Sequence, residues 1–212
     1  MIHRHDTQKA PVWIETEPFW IWHFVNAYES GQQILIDFIY HPQIKLEDTL
    51  DAVLAHHSHL HRIAVDLERE TVSHYPLDDR VVELPRIDSR QFGKPYQFAY
   101  MPYLDLALVA QKGIPNYFPE LIQYDVVNQT SQVYRFGVGR YGGEAIAIPR
   151  ANATSEIDSY VITWVFDENR QASDLVILDA AHFEQGAIAQ IHLPVRVPLG
   201  FHGNWIPQLH LL

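Results

Sequence analysis

The strongest strand signal in the chain is Tyr160-Val161-Ile162-Thr163-Trp164-Val165-Phe166, in which every residue is β-branched or aromatic. The polar run Asp167-Glu168-Asn169-Arg170 follows it, and the chain then returns to apolar residues in Leu175-Val176-Ile177-Leu178. This order predicts a β-hairpin, in which two strands are joined by a polar loop.

A related plan occurs three times along the chain: an apolar strand ends in Asp, a polar turn follows, and another strand begins. The three aspartates, Asp66, Asp125 and Asp179, are 59 and 54 residues apart. A period of roughly 40–60 residues with about four strands each is typical of β-propeller blades. A β-sandwich also repeats hairpins, although with a less even period.

We therefore favour an all-β fold in which residues 1–212 form one domain, with about four β-propeller blades. Only two short segments, residues 46–57 and 104–112, have a weakly helical pattern. Four blades are the lower limit for a closed propeller, so the chain is either a small propeller or part of a larger one.

The composition restricts the chemistry. The chain has no cysteine, which excludes disulfides, thiolate catalysis and Cys-ligated zinc or iron–sulfur sites. Any transition-metal site must therefore use imidazole and carboxylate, and 13 histidines are present. A formal net charge of −11 argues against nucleic acid as a partner. We find no nucleophile or nucleotide-binding motif, no apolar run that could span a membrane, and no secretory signal, and we expect a cytoplasmic protein.

His23 lies in a nearly all-apolar stretch that predicts a strand. Alternation would give one face five members: Phe19, Ile21, His23, Val25 and Ala27. A buried imidazole needs a partner for each ring nitrogen. A metal ion on one nitrogen and an acceptor on the other would satisfy both; hydrogen bonds to the backbone are the alternative.

His202 lies near the C-terminus between Gly200 and Gly203, after a proline-punctuated apolar run over residues 191–198. Glycines allow the backbone to bend tightly or to approach another group closely. This setting could present one imidazole to a metal ion, or it could be an ordinary turn. One histidine alone never makes a metal site.

Glu83 and Glu144 also have apolar neighbours. Metal-bound histidines usually donate their second N–H to a carboxylate, which fixes the orientation of the ring. The two glutamates would suit that role, but pairing with Arg86 or Arg150 is an equal alternative. The densest histidine cluster, within residues 56–61, does not have the spacing of a tetrahedral site, and we expect no metal there.

These segments, in this order, resemble the carotenoid cleavage oxygenase family, which includes lignostilbene dioxygenases and retinoid isomerohydrolases. The resemblance implies a seven-bladed propeller with Fe²⁺ on its axis, held by four histidines, three of them oriented by glutamates. His23 and His202 would be two iron ligands, and Glu83 and Glu144 two of the orienting glutamates. Family members are about twice as long, which implies that this sequence is their C-terminal half. The matching segments are residues 17–23, 26–29, 83–88, 143–150, 178–180 and 193–205.

One departure from the family pattern is a turn at residues 155–159, where the family usually has an acidic run ending in Gly. The implied activity is O₂-dependent cleavage of a conjugated C=C bond in a carotenoid, apocarotenoid or stilbene, giving two carbonyl products. The implied partners are that apolar substrate and O₂, with a peripheral membrane contact and a separate N-terminal half left open.

Two other hypotheses compete with a dioxygenase. The chain could be a truncated, inactive β-propeller fragment, or a subunit that needs a separate partner chain. It could also be a metal-free propeller used for binding, which predicts that His23 and His202 lie far apart.

Overall fold

The computed structural model describes residues 2, 4–6, 8–42, 58–107, 109 and 117–207. Within these ranges, thirteen strands form three antiparallel sheets in which neighbouring strands follow chain order, except that the first two strands of the second sheet both pair with its third. Such sequential meanders are the architecture of propeller blades. No helix within these ranges is long and apolar enough to cross a bilayer.

The first sheet contains β1 (Trp20–Ser30), β2 (Gln33–His41), β3 (His59–Asp66) and β4 (Thr71–Pro76). The second contains β5 (Val81–Val82), β6 (Arg86–Ile87), β7 (Phe98–Leu104), β8 (Glu120–Asp125) and β9 (Thr130–Arg135). The third contains β10 (Arg140–Pro149), β11 (Ser159–Asp167), β12 (Ala172–Asp179) and β13 (Ala187–His192). Short 3₁₀ turns lie at Ser89–Gln91 and Ala180–Gln185.

The predicted hairpin is β11 and β12, with Tyr160 opposite Asp179 and Trp164 opposite Leu175. The repeated aspartates end strands and shape the turns that follow them. Asp66 accepts backbone N–H groups from Glu68 and Arg69 at 3.1 and 2.9 Å. Asp125 accepts from two residues of its own turn in the same way. The spacing of 59 and 54 residues between the three aspartates is therefore the spacing of these turns along the chain.

The blade count is a correction: the described residues build three blades, whereas the length predicted about four. The three sheets span residues 20–76, 81–135 and 140–192, close to the predicted period. The count was too high because it also included both ends of the chain, whose described residues form no strand. The predicted helical segment 46–57 lies outside the described residues, and in 104–112 only Leu106, Ala107 and Val109 are described as helical.

The core lies between successive sheets, which pack face to face. β8 is buried along its whole length. Its adjacent residues Leu121 and Ile122 point to opposite faces because strand side chains alternate. Ile122 belongs to the buried cluster that includes Ile39 and Leu60 of the first sheet. Leu121 belongs to the cluster that includes β11 and β12 of the third sheet.

The predicted face of β1 is wrong at Ala27. The pairing of β1 with β2 shifts register between Ile21 and Phe24 and again between Phe24 and Asn26. These bulges change the alternation, so that Asn26 is buried and Ala27 is exposed. The Asn26 amide is satisfied by the carbonyls of Gln91 and Lys94, at 3.1 and 2.9 Å.

Candidate metal centre

His23 and His202 come together although they lie 179 positions apart along the chain. Their ring centroids are 5.1 Å apart and their planes are inclined by 72°. Two imidazoles bound at about 2.1 Å to one ion place their ring centroids roughly 4.5–5.3 Å apart. The observed distance fits that arrangement, and the expectation from a metal-free propeller that these residues lie far apart is wrong.

Glu83 orients His23. The Glu83 Oε2 atom lies 2.5 Å from Nδ1 of His23, and the side chains are 13% and 21% exposed. Glu83 follows β5, and the next residue, Leu84, has a φ of 47°. This left-handed conformation costs a non-glycine residue about 1 kcal/mol or more. It coincides with a 2.6 Å hydrogen bond from the Leu84 N–H to Glu83 Oε2.

A third histidine, His41, reaches the same carboxylate and was missed from the sequence. Its Nε2 atom lies 2.8 Å from Glu83 Oε1, and the side chain is only 1% exposed. One signal could have found it: alternation along β2 places His41 on the face of Ile39, which packs in the core.

The environment of Glu83 favours its ionised form. Burial alone would raise the pKa of Glu83, but the hydrogen bonds from His23 and His41 outweigh it and lower the pKa to about 2. The hydrogen bond to Glu83 raises the pKa of His23, and partial burial opposes that rise. The carboxylate is therefore a fixed negative acceptor in the folded protein.

Glu144 orients His202 in the same manner from β10. Its Oε1 atom lies 3.0 Å from Nδ1 of His202, and its Oε2 atom accepts the Gly203 N–H at 2.7 Å. Glu144 is 6% exposed, whereas His202 is 59% exposed. The flanking glycines are not needed for a close approach. A Cβ atom at Gly200 would meet nothing within 4 Å, and one at Gly203 would meet only Ile146 at 3.7 Å.

The alternative that the two glutamates pair with Arg86 or Arg150 is correct for one of the two arginines. The Arg86 guanidinium lies 3.4 Å from Glu144 Oε1 and donates to Asn204 Oδ1 at 3.2 Å. It therefore connects the second sheet with residues 200–205, which we call the C-terminal turn. Arg150 instead pairs with Asp158 and Asp179. Glu144 thus has both a histidine and an arginine partner.

The donor set fits part of an iron centre. Within the described residues, the hydrogen bonds of both rings use Nδ1 and leave Nε2 to other ligands. Imidazole nitrogen is a suitable ligand for iron. The part of the chain that the structure describes contains no group of three or more His, Cys, Asp or Glu side chains that could hold a metal ion. The metal-binding role of His23 and His202 therefore stays a prediction.

Three further histidines, His59, His61 and His74, form a separate group on the opposite face of the first sheet. The ring of His61 lies against Tyr40 with centroids 4.3 Å apart and planes inclined by 13°. His59 and His74 are neighbours of His61. Burial, assisted by His59 and His74, lowers the pKa of His61 to about 4. His56 and His57 of the sequence cluster lie outside the described residues.

A family model described as retinal pigment epithelial membrane protein matches residues 1–207. The chain belongs to this family. A carotenoid cleavage oxygenase of Mycobacterium tuberculosis is 31% identical over 199 residues, covering 92% of this chain and 39% of that protein. An apocarotenoid-15,15'-oxygenase of Synechocystis is 27% identical over 203 residues, covering 91% of this chain and 39% of the relative. The resemblance predicted from the motifs is confirmed.

Solved structures show the same fold. A cobalt-substituted apocarotenoid oxygenase of Synechocystis superposes with a TM-score of 0.80 at 24% identity, covering 91% of this chain and 40% of that one. The prediction of an all-β, partial β-propeller is confirmed. The chain spans about two fifths of the length of the curated relatives it matches.

Proposed function

We propose that this chain is the C-terminal part of a non-haem Fe²⁺ dioxygenase that cleaves a conjugated C=C bond of a carotenoid, apocarotenoid or stilbene. One alkene and one O₂ give two carbonyl products. The observation that supports this best is the convergence of His23 and His202, with ring centroids 5.1 Å apart and a carboxylate on Nδ1 of each ring.

The histidines would serve as neutral ligands through Nε2. Each carboxylate accepts a hydrogen bond from Nδ1–H, which keeps the proton on Nδ1, leaves the Nε2 lone pair for the metal and fixes the plane of the ring. When bound, Fe²⁺ supplies the centre at which O₂ and the electron-rich double bond react. Glu83 and Glu144 need not exchange protons during the reaction, because their role is to hold these two rings.

An apolar groove beside His202 supports an apolar substrate. It has a volume of about 370 Å³, and its lining includes Glu144 and His202. Trp164 and Phe201 also line it and are 46% and 75% exposed. Aromatic faces of this kind bury the flat surface of a conjugated chain effectively. The other lining residues that matter here are Ile146, Phe166, Leu175, Leu199 and Trp205.

Metal binding by the chain alone tests the first half of the proposal. Co²⁺ added to protein that carries ¹⁵N-labelled histidine is expected to shift the NMR resonances of His23 and His202 over one common concentration range. His182, which is 58% exposed and pairs with Asp179, is the matched control histidine. Responses of the two rings over different concentration ranges, or no response, would contradict a shared ion.

Turnover tests the second half. The chain is combined with the portion of the Mycobacterium relative that it does not cover, supplied with Fe²⁺, an apocarotenoid and ¹⁸O₂, and the products are weighed by mass spectrometry. We expect two carbonyl fragments, and His202→Ala is expected to abolish them. Equal product from the His202→Ala variant would contradict the assignment.

The alternative is an inactive fragment, or a subunit that acts only with a separate chain carrying further ligands. The observation that favours it is that, among the described residues, the candidate centre has only the rings of His23 and His202 facing each other, and no group of three potential ligands. An inactive fragment predicts no product even when the chain is combined with the uncovered portion of the relative, whereas a subunit predicts product only in that combination. The lack of cysteine is compatible with a reducing compartment, and we propose the cytoplasm as its location.

A further inference from the structure

His41 occupies a position that connects two blades. It ends β2 of the first sheet, where it lies opposite Trp20 of β1. Glu83, its hydrogen-bond partner, lies between β5 and β6 of the second sheet. The carboxylate is therefore contacted from neighbouring strands of the first sheet, by His23 through Oε2 and by His41 through Oε1.

The contacts of His41 favour one tautomer. Glu83 is an ionised acceptor, so the nitrogen that faces it, Nε2, carries the proton. The other nitrogen, Nδ1, is buried and has no hydrogen-bond partner among the described residues. In the Nε2–H tautomer, Nδ1 carries only a lone pair and no proton. In the other tautomer, Nδ1–H would be a buried donor without an acceptor, which would lower the stability of the folded protein.

Both oxygens of the Glu83 carboxylate are occupied by donors. Oε2 accepts from His23 and from the Leu84 N–H at 2.5 and 2.6 Å. Oε1 accepts from His41 at 2.8 Å. Rotation about the Cγ–Cδ bond moves both oxygens, so the donor on Oε1 adds to the restraint that the two donors on Oε2 supply and narrows the range of carboxylate orientations.

We propose that His41 is a positioning residue of the metal centre. Its Nε2–H narrows the rotation of the Glu83 carboxylate, which keeps Oε2 on Nδ1 of His23 and leaves Nε2 of His23 deprotonated and available to a metal ion. This inference rests on the proposed function for its metal, but the orientation of His23 can be measured without any metal.

The experiment compares three variants of the full 212-residue chain, with ¹⁵N-labelled histidine at one neutral pH. His41→Phe keeps an aromatic ring and removes the donor, while His41→Gln places an amide N–H near the position of Nε2. His61→Phe is the matched control, because His61 is as deeply buried but its nitrogens have no partner among the described residues.

We expect His23 to be a pure Nδ1–H tautomer in the parent and in His61→Phe, and a mixture of tautomers in His41→Phe. His41→Gln should restore most of the Nδ1–H form. The dissociation constant for Co²⁺ should rise about tenfold in His41→Phe, the lower range for loss of a ligand's hydrogen-bond partner, and much less in His41→Gln.

Several outcomes would overturn the inference. An unchanged His23 tautomer in folded His41→Phe would mean that His41 only fills space. An equal change in His61→Phe would mean a general loss of packing. If His41→Phe does not fold, the unsubstituted protein still tests the proposal. Chemical shifts that show the Nδ1–H tautomer for His41 itself would contradict it. If the parent binds no Co²⁺ while the tautomers behave as expected, the proposed metal function fails and the positioning role stands.

Discussion

The two carboxylate–histidine pairs are chemically alike but differ in how they are held. The His23–Glu83 pair lies between two sheets and has the additional donors His41 and Leu84. The His202–Glu144 pair joins a sheet to the C-terminal turn, and its histidine is 59% exposed. One half of the candidate site is therefore built into the blade packing, whereas the other depends on where one turn lies.

The difference indicates a division of roles. The buried pair can be formed as soon as the first two blades pack, since all four of its groups belong to them. The exposed pair needs the third blade for Glu144, the second for Arg86 and the turn for His202. Changes to the buried pair should therefore affect stability, and changes to the exposed pair should affect mainly the mobility of the turn.

The largest effect is expected for Glu83→Leu. It removes the acceptor of two histidines and one backbone N–H, leaving buried donors unsatisfied. We expect the free energy of unfolding to fall by about 3 kcal/mol, measured by urea denaturation. Glu144→Leu should cost less, because His202 can turn to solvent. Equal losses in the two variants would contradict the difference between the pairs.

Acid should weaken the buried pair over a defined range. The pKa of Glu83 is about 2 in the folded protein against an ordinary 4.5, so its contribution is present above pH 4.5 and is lost as the pH falls towards 2. The full contribution would be about 3 kcal/mol, at 1.36 kcal/mol per pKa unit. Denaturation at pH 5, 4 and 3 should show a decrease that is smaller in Glu83→Gln; the same slope in both proteins would rule this out.

His61 should change the stability of the protein in a higher pH range than Glu83 does, so the two residues can be compared within one denaturation profile. Burial lowers the pKa of His61 to about 4 from an ordinary 6.5. The unfolded chain therefore binds a proton that the folded chain excludes, and stability should fall as the pH decreases from 6.5 towards 4. His61→Phe should flatten the profile in that range and leave the range below pH 4.5 to Glu83. An unaltered profile between pH 6.5 and 4.5 would contradict this assignment.

An intermediate effect is expected for Arg86→Met, which frees the turn from the second blade. Its contacts with Glu144 and Asn204 are long and partly exposed, so the loss of stability should stay below about 1 kcal/mol. Amide exchange over residues 200–205 should nevertheless speed up severalfold. Arg69→Met, at an 81% exposed side chain, is the control. Unchanged exchange in Arg86→Met would show that Arg86 does not hold the turn.

The sequence predicted the local features well and the long-range ones less well. Alternation and turn aspartates are properties of short segments, which is why the β11–β12 hairpin was predicted directly. The bulges in β1 depend on pairing with β2, so the exposure of Ala27 did not follow from alternation. His41 acts on a residue 42 positions away in another sheet, and only the packing of the blades brings them together.

The smallest effect is expected at Gly203, where the sequence suggested a tight bend or a close approach to another group. A Cβ atom there would meet Ile146 at 3.7 Å, an ordinary contact, and the residue is not among those with positive φ. Gly203→Ala should therefore change the free energy of unfolding by no more than about 0.5 kcal/mol, since the Gly203 N–H still reaches Glu144. Gly142→Ala is the matched contrast, because a Cβ atom there would lie 2.5 Å from the Phe136 ring and something must shift. It should cost more than 1 kcal/mol in the same denaturation experiment. A large loss in Gly203→Ala would mean that the turn is held as tightly as the buried pair, and the contrast between the two halves of the site would no longer hold.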